Sequence, residues 1–236
     1  MKMSTAAKSK APAQSRFVAE RRLVIQDASW DDYLALSGSL HERTVLRVAF
    51  DGKDIEIMTK GRDHDRFSYL IDKFIVAVAH AQGVPVEPFG ETTWTKPGIE
   101  RGIEADQWYF FDAAKRECIA KILRDERARG IRSNSLEGFP SPDLAVEIDI
   151  SPPKVDRPGI YAALGVAELW RFDGEVAVIE RLSPEGRYEP LKKSQWLEIT
   201  TADVVRWVAR EDATEFIPWL DRVTKWARRK SAGKRS

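Results

Sequence analysis

A chain of 236 residues, 43% hydrophobic with eight tryptophans, is long enough to bury a sizeable core, and one globular domain is the default expectation. Its single cysteine, Cys118, excludes an internal disulfide framework, fits a reducing compartment and reads as inert packing. The strongest apolar run, 74–79, is far too short for a membrane span and residues 1–16 lack a secretory apolar stretch, which together predict a cytoplasmic protein with no membrane partner.

The net charge of +1 conceals an asymmetry: residues 1–22 carry +5 and 223–236 carry +6, which leaves 23–222 at −10. This predicts a basic disordered tail over 1–21, an acidic body over 22–222 and a basic C-terminal tail over 223–236. Flexible basic ends can hold phosphate backbones without reading sequence, in a salt-sensitive way. Solubilising ends with no specific partner are the competing reading.

Within the body, residues 22–26 read as a short edge strand, and Ser29 with Asp32 three positions on forms a capping-box pattern that opens a helix. Strands over 44–50 and 53–58 flank Asp51-Gly52, the signal for a two-residue hairpin, and set Glu56 on a strand. From Asp63, read as an N-cap, Phe67, Leu70, Ile71, Phe74, Ile75, Val78 and Ala79 recur at helical spacing until Gly83, with His64 in the first turn. Extended segments at 84–89 and 91–95 and a turn at Pro97-Gly98 follow. Residues 103–111 read as one charged strand, with Glu104, Asp106 and Trp108 on one side and Ile103, Ala105, Tyr109 and Phe111 on the other. Residues 113–132 form a basic helical connector, either a solvated face or a strip suited to phosphates.

The next strand alternates Asp143, Ala145, Glu147 and Asp149 with Leu144, Val146, Ile148 and Ile150. Like charges so close raise each other's pKa and weaken the fold unless something compensates. A divalent cation is one explanation, and an edge strand that protects itself with charge is the other. Pro152-Pro153 stops the strand, a helix around 159–164 ends at Gly165, and 167–172 reads as a buried strand that turns at Gly174 into 175–182. The order strand, helix, strand implies a crossover connection. Edge pairing at 188–191 and 196–199, a helix capped by Thr200 or Thr201 and running through Arg210, and an amphipathic helix with Trp219, Leu220 and Trp226 complete the chain.

If the two charged strands are neighbours, Asp106 and Glu147 meet around a hard cation, Mg²⁺ or Mn²⁺, with Asp149 or a backbone carbonyl as a further ligand. Mg²⁺ takes only one or two carboxylates and keeps several waters, so this donor count is sufficient. Metal-assisted hydrolysis of a phosphodiester is the chemistry such a pair can carry.

The segments GKDIEIMTKGRDHDRFSYLI, RGIEADQWYFF, SPDLAVEIDISP and IYAALGVAELWRFD resemble, in order, the pattern of the Uma-type restriction endonucleases, a branch of the PD-(D/E)XK nuclease superfamily long labelled a domain of unknown function. The resemblance implies an α/β (α+β) restriction-endonuclease-like fold, a mixed β-sheet flanked by helices, and a Mg²⁺-dependent site that cleaves DNA. It sets Asp106 at the aspartate of the first half-motif and Glu147 at the acid of the second, with Glu56 and His64 in ligating or orienting roles. Two departures stand out: Ala105 replaces the expected proline, and Asp149 occupies the usual lysine position. Lys154 could supply the water-side cation instead, with Arg157 as a phosphate clamp. A homodimer would suit cleavage of both strands. The rival functions are a catalytically inactive nuclease fold that binds nucleic acid or serves assembly, and a metal-free two-carboxylate sugar hydrolase.

Overall fold

The computed structural model describes residues 17–40, 46–131, 136, 138–209 and 215–232. In chain order the strands are β1 (Arg21–Ile25), β2 (Leu46–Phe50), β3 (Ile55–Thr59), β4 (Glu87–Phe89), β5 (Thr92–Lys96), β6 (Arg101–Ala105), β7 (Gln107–Phe110), β8 (Leu144–Ile148), β9 (Glu168–Phe172), β10 (Ala177–Leu182) and β11 (Tyr188–Pro190). The helices are α1 (Trp30–Leu40), α2 (Arg62–Gln82), α3 (Ala113–Ala128), α4 (Arg157–Ala163), α5 (Thr201–Val208) and α6 (Phe216–Ala232). The strands form two sheets, an antiparallel one in the order β1-β3-β2-β6-β5 and a mixed one in the order β11-β10-β9-β8-β7-β4. This is an α+β domain, consistent with the restriction-endonuclease-like fold that the resemblance implies.

Strand β8 organises the second sheet. Its period-two pattern sends Leu144, Val146 and Ile148 into a core with Phe74, Trp170, Trp207 and Trp219, while Ala145 faces a second core with Trp108, Ile160 and Leu164. Burial of each large side chain contributes roughly 1.5–3 kcal/mol, so a strand covered on both faces is strongly held. β8 pairs in parallel with β9, from Leu144↔Glu168 to Ile148↔Phe172, and α4 lies in the connection between them, as the crossover pattern predicts. A third, smaller core joins α1 to β2 and β3 through Tyr33, Val48, Phe50 and Ile55.

The local signals hold where short-range chemistry decides. Ser29 and Asp32 cap α1 reciprocally, with the Asp32 N–H donating to Ser29 Oγ at 3.1 Å and the Ser29 N–H donating to Asp32 Oδ2 at 2.8 Å. Gly83 ends α2 in the left-handed region at φ 67°, and Thr200 with Asp203 caps α5 as a full capping box.

Several expectations change. The β2–β3 hairpin closes at Phe50↔Ile55, so its loop has four residues rather than two; Asp51 Oδ1 accepts from the N–H groups of Lys53 and Asp54 at 3.0 and 2.9 Å and folds the turn on itself. The N-cap of α2 is Gly61, with Asp63 inside the first turn. Residues 103–111 are not one strand: the chain leaves the first sheet after Ala105, bends at Asp106 and enters the second as β7. Glu104 therefore parts company with Asp106 and meets Thr93 and Arg47. Residues 196–199 form no strand, and a single bridge, Lys193↔Thr200, stands there instead.

Neither predicted tail keeps its boundary. Phe17 packs edge-on against Phe67 and Glu20 is buried, so ordered structure begins before residue 22. Helix α6 runs through 223–232, with Val223 and Ala227 fully buried against the core. Cys118 is exposed on α3 rather than packed. Among the described residues, no helix is long and apolar enough to cross a membrane. The 1–16 portion of the N-terminal tail, the predicted strand start at 44–45, Arg132, the helix end at Arg210, and 233–236 lie outside the described residues.

Candidate active site

The bend at Asp106 sets up the site. The β7–β8 ladder ends at Gln107↔Val146, and the next β8 amide, that of Ile148, donates to Asp106 Oδ2 at 2.8 Å instead of to a strand partner. The side chain thereby ends one sheet's pairing and sits, buried, where the two sheets meet. His64, in the first turn of α2, brings Nε2 to 3.3 Å from the same oxygen without hydrogen-bond alignment, and neither of its ring nitrogens has a hydrogen-bond partner.

Glu147 projects from the middle of the second sheet and is 1% exposed. Its Oε2 accepts from Arg157 Nη1 at 2.6 Å and its Oε1 accepts from the Tyr161 hydroxyl. Arg157 is the first residue of α4, whose N-cap Asp156 accepts from the Gly159 N–H at 3.0 Å. From there the guanidinium also donates through Nε and Nη2 to Glu56 Oε1, at 3.1 and 2.8 Å, and lies 3.4 Å from Asp149 Oδ1. The first strand adds a second guanidinium. Arg22 donates to Glu56 Oε1 at 2.7 Å, Glu20 Oε2 at 2.6 Å and Asp149 Oδ1 at 3.0 Å, while Glu20 accepts from the Ser151 N–H at 3.1 Å.

The result is a buried network of five carboxylates, Glu20, Glu56, Asp106, Glu147 and Asp149, against Arg22, Arg157 and the imidazole of His64. Burial pushes the Glu147 carboxyl up to about 8, Arg157 opposes that rise, and Asp106 and Asp149 add to it. Burial likewise raises Asp149 against the pull of both arginines. Asp106 moves the other way: burial alone would raise it, but the charge of His64 and the Ile148 amide hold it below the ordinary value. For His64, burial disfavours the imidazolium, yet Asp106, Glu20 and Glu147 outweigh it and shift the group upward.

Sequence reasoning brought Asp106, Glu147, Asp149, Glu56, His64 and Arg157 together as candidates, and the fold gathers all six. Two roles differ from expectation. Lys154 is exposed, and its backbone N–H, not its ammonium, enters the site by donating to Glu56 Oε2 at 2.6 Å. Arg157 is buried and tied to carboxylates, so it offers no free guanidinium to a phosphate. The third acid of the row, Asp143, serves elsewhere, accepting from the N–H groups of Phe111 and Asp112 at 2.7 Å each. Missed were Glu20, Arg22 and Tyr161. The first two had a legible signal, opposite charges two positions apart where β1 begins. Tyr161 had none, since a lone tyrosine in an apolar helix reads as core.

Asp149 also lines an open concavity of about 240 Å³ with Pro153, Arg171 and Phe172, through which the network reaches the surface.

Residues 30–209 match the profile of Uma2, a family described as "Putative restriction endonuclease". The chain belongs to the Uma2 family. No curated protein matches it. The family assignment supports a nuclease-like function, and nucleases of this class generally use divalent metals on DNA. The Uma2 match begins after β1, so Glu20 and Arg22 come from outside the matched residues.

The donor chemistry of this Uma2 site suits a hard cation. All the acids are oxygen donors, and Arg22, Arg157 and His64 do not match the five acids in number; the fold meets that imbalance by holding the Glu147 proton up to about 8, and a divalent ion could meet it instead. Among the described residues, no three of these side chains converge as a ready-made metal centre, because Arg157 already stands among Glu56, Glu147 and Asp149. Asp106 and Glu147 could hold an ion that retains its waters once Arg157 or Tyr161 yields its place on the Glu147 carboxylate.

Proposed function

We propose that the protein is a Mg²⁺- or Mn²⁺-dependent endonuclease that hydrolyses DNA phosphodiester bonds, with Asp106 and Glu147 as the metal-holding pair. The observation that carries this reading is the buried excess of carboxylate over cation at the junction of the two sheets of a restriction-endonuclease-like domain. A bound ion supplies stabilisation of charge on phosphorus-bound oxygen and acidifies a water. The protein's own groups do the rest. Arg157 and Tyr161 orient the Glu147 carboxylate, and the Ile148 amide orients Asp106. His64, 3.3 Å from Asp106 Oδ2 and shifted upward by that carboxylate, is a proton carrier within reach of it. Asp149 anchors both arginines rather than completing the metal set.

Supercoiled plasmid incubated with the protein is expected to be nicked in Mg²⁺ or Mn²⁺ and untouched in EDTA, with Glu147→Gln abolishing nicking while leaving the melting transition in place. Nicking that survives EDTA, or that Glu147→Gln leaves intact, overturns the proposal. A second reading, an inactive nuclease fold that binds nucleic acid or serves assembly, is favoured by one observation: both Glu147 oxygens are already engaged, and Asp149 stands where a lysine is usual. Duplex binding without cutting in any divalent metal selects it. Cleavage of both strands would call for two such sites, so a homodimer belongs to the nuclease reading.

A further inference from the structure

Helix α6 has a feature that the buried network does not explain. Its apolar stripe, Trp219, Val223 and Ala227, packs into the core, while Arg222, Lys225, Arg228 and Arg229 are exposed on the opposite side. Positions 222, 225 and 229 follow the three- and four-residue spacing that stacks side chains on one face, with Arg228 beside them. None of the four forms an ion pair among the described residues, whereas the neighbouring Lys230 is neutralised by Asp203. Asp221 is the one acid of α6, in a chain whose body from 23 to 222 is otherwise rich in acids that could have paired these cations.

The stripe is remote from the carboxylate network. Helix α2 begins beside that network at His64 and ends at Gln82, about 27 Å further along at the usual rise per residue. Helix α6 follows α2 in the same direction: the Phe216 ring is 5.5 Å from that of Tyr69, the Trp226 ring is 6.0 Å from that of Phe74, and Ser231 lines one concavity with Gln82. The basic residues therefore lie from the middle of α2 towards its far end.

We propose that this face of α6 is a docking surface for the phosphate backbone of duplex DNA, engaged outside the cleavage site. The choice of DNA as the polyanion rests on the nuclease reading; the charge argument does not. Long cationic side chains on a rigid helix reach phosphates without reading bases, so the contact is sequence-independent and salt-sensitive. A bilayer is the poorer fit, since Trp219, Val223 and Ala227 are buried in the core and Ile217, at the start of α6, is the one large apolar side chain of the helix that is exposed.

The test uses the full chain with Arg222→Ser, Lys225→Ser and Arg229→Ser combined, in EDTA, against a fluorescent duplex over a salt series. Affinity at low salt is expected to fall at least tenfold, and the slope of log affinity against log salt to become shallower by about 2 to 3, the counterion release of three lost contacts. An unchanged melting temperature shows that the exposed substitutions leave the fold intact. Unchanged affinity and slope, or a parent protein that binds anionic phospholipid vesicles and no duplex, overturns the inference. Nicking assays run alongside separate the two proposals. Metal-dependent nicking by a triple variant that binds like the parent leaves the nuclease standing and removes the surface. Loss of binding in the triple variant, with no nicking by any form, does the reverse.

Discussion

Arg157 and Glu147 stand ten positions apart in the chain and meet at 2.6 Å, Nη1 to Oε2, in the buried junction between the two sheets. The same guanidinium reaches Glu56 on β3, so the first residue of α4 ties the two sheets together by charge. Removing it by Arg157→Ala strands both carboxylates in the interior. A loss of about 3–5 kcal/mol in urea unfolding is expected, the usual cost of breaking a buried pair from one side. A loss under about 1 kcal/mol would mean that water or Arg22 takes over the role.

The pH dependence of stability follows from the same junction. Glu147 is held up at about 8 when folded and returns to the ordinary carboxylate range when unfolded. Between those values the folded protein keeps a proton that the unfolded chain has released, so this group's contribution is greatest at acid pH and is lost as pH rises towards 8. Asp149 and His64, both raised, act in the same sense, His64 over the range above its unfolded value. Asp106, lowered, works oppositely and loses its contribution only at strongly acid pH. The melting temperature is therefore expected to fall from about pH 5 to pH 8.5, and Glu147→Gln to flatten that fall. A profile that climbs over this range contradicts the assignment.

Strand β1 lies before the residues that match the family, yet it holds the second cation of the network. Arg22→Met leaves Glu20 and Asp149 without their shared guanidinium. It is expected to destabilise by about 3 kcal/mol or more in urea. Its neighbour Arg21, on the exposed face of the strand, serves as the control, and Arg21→Met should shift stability by no more than about 0.5 kcal/mol. Equal effects would show that β1 matters only as an extra strand.

Gly102 on β6 lies under the ring of Tyr33, and a Cβ there would come within 2.3 Å of the hydroxyl. Tyr33 cannot move aside cheaply, because its buried ring stacks against both Trp30 and Phe50, at 5.1 and 5.7 Å. Gly102→Ala should cost about 1–3 kcal/mol by overpacking. Gly90→Ala, where a Cβ meets nothing within 4 Å, should be close to neutral in the same denaturation series.

Much of the candidate site was legible because its residues advertise themselves locally. Alternation along 143–150 picks out Glu147 against an aliphatic face, since a pleated strand has a strict period of two. The helical period of 67–79 does the same for α2 and carries His64 to its start. What stayed hidden was which local pattern belonged to which sheet. Alternation continues across Asp106 whether the chain stays in one sheet or crosses to another, so the break was not readable, and Glu104 looked equivalent to Asp106.

By itself, then, the amino-acid order determined the elements, their buried faces and the pool of acids, because these depend on neighbours three or four positions away at most. Only the packed structure decided which cations those acids would meet. Lys154 and Arg157 look alike from the sequence, but the first turn of α4 swings one guanidinium inward to Glu56 and Glu147 while leaving the lysine in solvent. Arg22 arrives from 127 residues away to reach Asp149. Partners so distant in the chain are chosen by the closing of two sheets on one another, which no short-range pattern encodes.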